Sequence, residues 1–217
     1  MSLRIKELCS AIKPCKKLAD VGCDHGLLTL TALNSAKCEK AFISDISEDC
    51  LKKAKELLAD YIEDGKVDYA VCDGLEKVDK DCDSVIIAGM GGEEIVKILS
   101  ESDFKPQNLY LQPMKNAEKV REYLINNGYG ITLDYTFADG KYYDYIVAEN
   151  GKTSEYTADE MFFGKDNLKN MPKAFVDKTK AELGLYKKVF ADCKTETAKS
   201  EILKKTERLE RILNETR

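Results

Sequence analysis

The sequence predicts an α/β protein whose mostly parallel sheet ends in an antiparallel hairpin and is followed by an all-helical tail. Three observations predict it. Short apolar runs alternate with stretches of helical periodicity as far as Asn126. The alternation then gives way to two strand-like runs joined at Asp139-Gly140, a dipeptide suited to a tight turn. Beyond Tyr156 only helical spacing remains.

Taken in order, Leu3, Ile5, Leu8, Cys9 and Ile12 share one helical face behind Ser2, a good N-cap, and Pro14 ends the segment. Lys17 to Val21 is the first strand and Gly26 to Ala36 the first crossover helix. Lys40 to Ser44 is the second strand, closed by Asp45, and a helix follows from Ser47 through Tyr61 to the Asp64-Gly65 stop. Lys66 to Cys72 is a third strand ending in Asp73-Gly74. Asp83 to Ala88 is almost continuously apolar, as a central strand buried on both faces should be. It runs into Gly89-Met90-Gly91-Gly92 and a helix carrying Ile95, Ile98 and Leu99. Leu109 to Leu111, before Gln112-Pro113, is the fifth strand, and Ala117 to Asn126 the next helix. Gly130 to Phe137 and Tyr142 to Ala148 form the hairpin. Glu149 to Tyr156 is polar and marks a boundary between domains at 1–150 and 151–217. Helices are expected over Phe175 to Asp192 and Thr195 to Glu215, the second with Ile202, Thr206, Leu209 and Leu213 as a coiled-coil seam.

The chemistry centres on Asp20-Val21-Gly22-Cys23-Asp24-His25-Gly26, a strand end, a glycine turn and a helix start. Gly22 lets the backbone approach a ligand closely. A pyrophosphate requires bare backbone N–H groups at this helix N-terminus, whereas Asp24 puts a carboxylate there, so the expected cofactor carries no phosphate. Asp45 stands where nucleoside-binding folds hold a ribose diol, and that reading is preferred to capping of the next helix, which Ser47 with Asp49 and Cys50 can do equally well. Asp73 is the candidate for an adenine amino group, against a plain Asp-Gly turn. Three glycines within Gly89 to Gly92 imply that something comes close to that backbone.

Composition narrows the function classes. The 217 residues are 43% hydrophobic and carry a net charge of −5, with no apolar run of membrane-spanning length and no signal-like N-terminus, so a soluble cytoplasmic protein is expected. The eight cysteines form no C-x-x-C pair and there is one histidine, which argues against a metal site and for free thiols, Cys23 being the one beside the turn. Residues 151–217 hold 15 Lys and Arg against 12 Asp and Glu, so the tail is mildly basic behind an acidic body. A polyanionic partner would be gripped there.

The D-x-G-x-x-x-G turn resembles motif I of class I S-adenosylmethionine-dependent methyltransferases. Together with Ile87-Ala88-Gly89-Met90-Gly91-Gly92, Leu111-Gln112-Pro113 and the Tyr142 to Val147 strand, the whole chain resembles the bacterial TrmK family of tRNA (adenine(22)-N(1))-methyltransferases. Its A-G-M-G-G loop departs from the Asn/Asp-Pro-Pro-aromatic motif of most adenine N-methyltransferases but suits TrmK. The resemblance implies a class I, Rossmann-like methyltransferase sheet with a C-terminal coiled-coil hairpin, S-adenosyl-L-methionine as cofactor, tRNA as substrate, and no membrane or metal partner. The cofactor-binding candidates are Asp20, Gly22, Cys23, Gly26, Asp45, Ile46, Asp73, Gly74, Ala88 and Gly89. The catalytic candidates are Asp24, His25, Gly89, Met90 and Gly91, with His25 open between orienting Asp24 and simple packing. Tyr142, Tyr143 and Tyr145 read as sheet residues rather than receivers of a flipped base. A monomer is expected.

Two other readings stand beside this one: a methyltransferase for another RNA or a small molecule, and a non-catalytic binding protein whose helical hairpin docks a partner. Truncation after Asn150 distinguishes them, because only an RNA-binding tail would take RNA affinity with it.

Overall fold

The computed structural model describes residues 2–193 and 195–214. Helix α1 (Leu3–Ala11) opens the chain with the Ser2 hydroxyl accepting from the Ile5 amide at 3.3 Å. The crossover units follow as β1 (Cys15–Val21), α2 (Leu27–Asn34), β2 (Cys38–Asp45), α3 (Glu48–Leu57), α4 (Ala59–Glu63), β3 (Val67–Val71), β4 (Ser84–Met90), α5 (Gly92–Ser100), β5 (Asn108–Pro113) and α6 (Ala117–Asn126). The hairpin is β6 (Tyr129–Asp139) and β7 (Lys141–Asn150). The strands form one seven-stranded sheet in the order β3-β2-β1-β4-β5-β7-β6, with β7 antiparallel to both neighbours.

Period-two alternation explains why both faces are covered. Leu18, Ile43, Ile86 and Tyr110 point into a core beneath α1 to α4. Their neighbours Ala19, Phe42, Val85, Ile87 and Leu109 point into a second core beneath α5 and α6. The strand order reverses between β1 and β4, and the crevice outside the carboxyl ends of such a switch point is where open α/β sheets bind ligands.

The helix expected from Ser47 to Tyr61 is interrupted at Leu58, which has φ −103° and is fully buried against the glycine turn. Strand β4 runs two residues beyond Ala88, through an irregularity between Ala88 and Met90. Strand β7 takes up Glu149 and Asn150, shortening the polar linker.

The tail differs most from expectation. Two six-residue helices, α7 (Ala158–Phe163) and α8 (Lys165–Asn170), precede the long pair α9 (Lys173–Asp192) and α10 (Glu196–Asn214). The expected end at Glu215 lies outside the described residues. Val176 and Lys180 at the start of α9 line one groove with Leu213 and Asn214 at the end of α10, while Tyr186 further along α9 lies under Lys205, earlier in α10, so the two helices run antiparallel. Leu209 and Ile212, rather than Leu213, are the buried residues of α10, because they meet Phe163 and Phe175 as well as α9.

Helices α7 and α8 are fastened to the sheet. The Arg121 Nε and Nη2 donate to the Asp134 carboxylate on β6 at 2.8 and 2.9 Å, and both side chains are 1% exposed. Arg121 Nη1 donates to the Met161 carbonyl at 3.1 Å, and Asp134 also accepts from the Tyr156 hydroxyl and the Lys165 amide. A cut after Asn150 would strip these partners from a buried ion pair, so truncation there tests folding as well as RNA binding.

Candidate active site

The glycine turn owes its shape to alternating left-handed residues: Gly22, Asp24 and Gly26 have φ of 71°, 50° and 73°. Asp24 tolerates this region better than most side chains. Its amide donates to Asp45 Oδ2 at 3.0 Å, tying the turn to the end of β2. Asp45 Oδ1 accepts from the Ser47 amide at 2.8 Å, while the Ser47 hydroxyl caps α3. Capping therefore falls to Ser47, and the Asp45 carboxylate bridges the turn and the helix start at the rim of the crevice. At Gly22 the left-handed φ is what favours glycine; a Cβ would also meet the terminal methyl of Met90, which would have to swing aside.

A cavity of about 350 Å³ opens here. Gly22, Asp24, Asp45, Ile46, Asp73, Gly74, Ala88, Gly89 and Met90 all line it, drawn from the ends of β1, β2, β3 and β4. Ile46 is 72% exposed, an apolar face free to lie against a ring.

The remaining candidates stand elsewhere. Asp20 is 5% exposed behind the turn, accepts from the Thr29 hydroxyl at 2.7 Å, and burial raises its carboxyl to about 6. Cys23 packs into the core, and burial raises its thiol well above the ordinary range. Gly26 caps α2 against Ala54 and Leu58. Gly91 caps α5 beside Lys115. The His25 ring lies at the surface, its Nδ1 3.7 Å from Asp24 Oδ2 and its Nε2 3.3 Å from Lys53 Nζ. Tyr145 is fully buried and donates to the Leu8 carbonyl, and Tyr143 stacks on Phe137, as sheet residues should. Tyr142 is 40% exposed.

Two charged side chains of the wall escape sequence reasoning. Glu94, in the first turn of α5, has the local signal of an acid just after the glycine loop. Arg4 arrives from α1 and has no local signal, because its partners Gln112 and Asp139 are more than 100 residues away.

A methyltransferase domain model matches residues 1–146. The tRNA (adenine(22)-N(1))-methyltransferase of Bacillus subtilis (strain 168) is 28% identical over 224 aligned positions, covering 97% of this chain and 94% of that one. The chain belongs to the TrmK family of methyltransferases. The crystal structure of the B. subtilis m1A22 tRNA methyltransferase TrmK superposes with a TM-score of 0.87 and 26% identity, covering 98% of each chain. The M. capricolum TrmK structure, a complex with S-adenosylhomocysteine, gives 0.89 at 21% identity, covering 99% of this chain and 98% of that one. The TrmK fold thus extends through the tail helices.

Proposed function

We propose that this chain methylates N1 of an adenine in tRNA, position 22 by analogy with its B. subtilis relative, using S-adenosyl-L-methionine. The observation that carries the reading is the acidic, glycine-lined cavity at the switch point of the sheet, within a TrmK-family chain. Its residues fit the cofactor. The bare face of Gly22 admits close approach, Asp45 offers a bidentate acceptor for a ribose diol, Asp73 stands one strand further out for the adenine amino group, and Ile46 supplies an apolar face. Asp20, Asp24 and Glu94 add negative charge for a ligand with sulfonium and ammonium groups.

When bound, S-adenosylmethionine supplies an electrophilic methyl group. Neutral adenine has an in-plane lone pair on N1, so no residue must remove a proton before transfer. The chain's task is alignment of the reacting atoms within about 3 to 3.5 Å and acceptance of the positive charge that develops on the ring. Asp24, whose side chain is 71% exposed at the cavity mouth, is the carboxylate assigned to that charge, with His25 beside it as the orienting residue. Gly89 and Met90, which line the cavity, shape the target side, and Gly91 starts α5 behind them.

The tail, residues 151–217, is assigned to RNA. Lys188 and Lys204 are exposed on the paired helices and have no carboxylate partner among the described residues, whereas Lys187 is engaged by Glu210. Eight free cysteines support a reducing, cytoplasmic setting. No helix of the described residues is long and apolar enough to cross a membrane.

The test is transfer of labelled methyl to unmodified bacterial tRNA, followed by nucleoside analysis. Wild type should yield 1-methyladenosine, and Asp24→Ala should lose the product while binding S-adenosylhomocysteine. Cofactor binding without any methylated tRNA would overturn the substrate assignment.

A further inference from the structure

The last two glycines of the A-G-M-G-G loop are not accounted for by the cofactor cavity, which Gly89 and Met90 line and Gly91 and Gly92 do not. What comes close to Gly92 is protein. A Cβ there would stand 2.2 Å from the Asn116 carbonyl oxygen and 2.8 Å from that of Lys115, so the segment after β5 rests directly on the loop. Two backbone hydrogen bonds hold it. The Gly92 amide donates to the Lys115 carbonyl at 2.9 Å, and the Met114 amide donates to the Met90 carbonyl at 2.8 Å. The Lys115 stem lies over Gly91, its Cε 3.3 Å from where a Cβ would be.

This clasp carries Met114, Lys115 and Asn116 to the edge of a second crevice, of about 300 Å³, between the sheet and the tail. Its far wall is one face of α9, where Lys178, Glu182 and Tyr186 recur at helical spacing, with Lys205 of α10 over the Tyr186 ring. Part of the charge is spent within the fold: Lys178 donates to Asp144 at 2.5 Å, and Asp144 also accepts from the Thr136 hydroxyl at 2.7 Å. The rest is not. Lys115 has no ion-pair partner among the described residues, Glu93 being held by Lys119, and Lys205 has none beyond the ring face. The Asn116 side chain makes no capping hydrogen bond, and Glu182 has no hydrogen bond or ion pair among the described residues. Burial raises the Glu182 carboxyl above its ordinary value, as for an acid that faces an enclosed space.

Free cations beside a free acid and a free amide select one class of ligand. A track for phosphates alone would not include Glu182, whereas a nucleotide brings both an anion and a base edge whose N–H groups donate. The volume suits a single nucleoside rather than a duplex. Strand β5 lies one strand spacing, about 4.8 Å, from β4, so a nucleotide seated here is next to one presented at Gly89 and Met90. We propose that this crevice seats the RNA nucleotide adjoining the target adenosine, its phosphate between Lys115 and Lys205 and its base edge on Glu182 and Asn116. The inference rests on the RNA reading and deepens it. It gives Gly91 and Gly92 the task of joining this seat to the glycine loop, and it gives the tail a part in reading the substrate beside the reaction centre.

The test uses unmodified bacterial tRNA and three variants of the full chain, Lys115→Gln, Lys205→Gln and Glu182→Met, with S-adenosylhomocysteine binding as the control. Each lysine change should lower the log–log salt slope of tRNA binding by about 0.7 to 0.9 and weaken that binding roughly tenfold. Calorimetry should find S-adenosylhomocysteine bound as by wild type, because the crevice lies outside the cofactor cavity. Synthetic tRNA with an abasic site at either neighbour of the methylated adenosine reads the base contact. Wild type should lose about tenfold in affinity at one of the two neighbours, and Glu182→Met should show no such penalty. An unchanged salt slope in both lysine variants, or an abasic penalty equal in wild type and Glu182→Met, would overturn the inference. So would loss of S-adenosylhomocysteine binding together with tRNA binding, which would make the crevice a packing seam. Wild type that binds no tRNA would remove the RNA reading itself, and the inference with it.

Discussion

Replacing Asp20 by Asn should stabilise the protein and weaken its cofactor binding. The buried carboxyl titrates at about 6 rather than 3.8 because burial disfavours its charged form more than the Thr29 hydroxyl favours it. A rise of this size corresponds to about 3 kcal/mol. Between pH 3.8 and 6 the folded state binds the proton that the unfolded state has released, so this group makes stability fall as pH rises through that window. At pH 7.5 the full cost is present; at pH 4 most of it is gone. Asn fills the same space, still accepts from Thr29 and carries no charge. Urea unfolding should therefore find Asp20→Asn more stable than wild type by up to about 3 kcal/mol at pH 7.5, and nearly equal to it at pH 4. S-adenosylhomocysteine should bind the variant more weakly, because a negative charge behind the turn is lost, and wild-type affinity should itself rise as pH passes 6. A variant less stable than wild type at pH 7.5, or a difference independent of pH, would refute the reasoning.

Four further outcomes are expected. Gly22→Ala should cost roughly 1 to 2 kcal/mol for its left-handed backbone and displace Met90, lowering both the urea midpoint and S-adenosylhomocysteine affinity. Arg121→Met leaves the buried Asp134 without its main partner and should cost about 3 to 5 kcal/mol by urea unfolding, much of it recovered in Arg121→Met with Asp134→Leu. His25→Ala should bind S-adenosylhomocysteine near wild-type strength in calorimetry, since the ring lies outside the cavity, while methyl transfer to tRNA slows. Changing Lys188 and Lys204 to Gln should reduce the log–log salt slope of tRNA binding by about 0.7 to 0.9 for each lysine that meets phosphate.

The fold was legible where periodicity is long. Asp83 to Ala88 reads as a central strand because both its faces are apolar, and Asp139-Gly140 marks the hairpin because that dipeptide turns it. Helices α7 and α8 are too short to show a period, although Thr157 and Glu160 form a capping box, a signal present in the sequence as T-x-x-E. The choice of Ile212 over Leu213 depends on Phe163 and Phe175, which no spacing within α10 encodes. At the site, the turn and Asp45 are local and visible. The burial of Asp20 and Cys23 is less so, because an alternating strand end does not say which residue faces the ligand. Arg4 is the extreme case, defined only by contacts across the whole fold.

Those contacts bear on how the protein is made. Helix α1 leaves the ribosome before every strand of the sheet, yet Glu7 meets Tyr135, Leu8 meets Tyr145 and Arg4 meets Asp139, separations of 128 to 137 residues. Residues 15 to 113 can pair their parallel strands, and α1 can settle against α2 and Lys37, before the hairpin exists. Its remaining contacts wait for the reversed strands at the end of the sheet. A nascent chain paused before Asp139 therefore has the glycine turn and a first helix held on one side only, and that wall of the nucleoside pocket takes its final place late in synthesis.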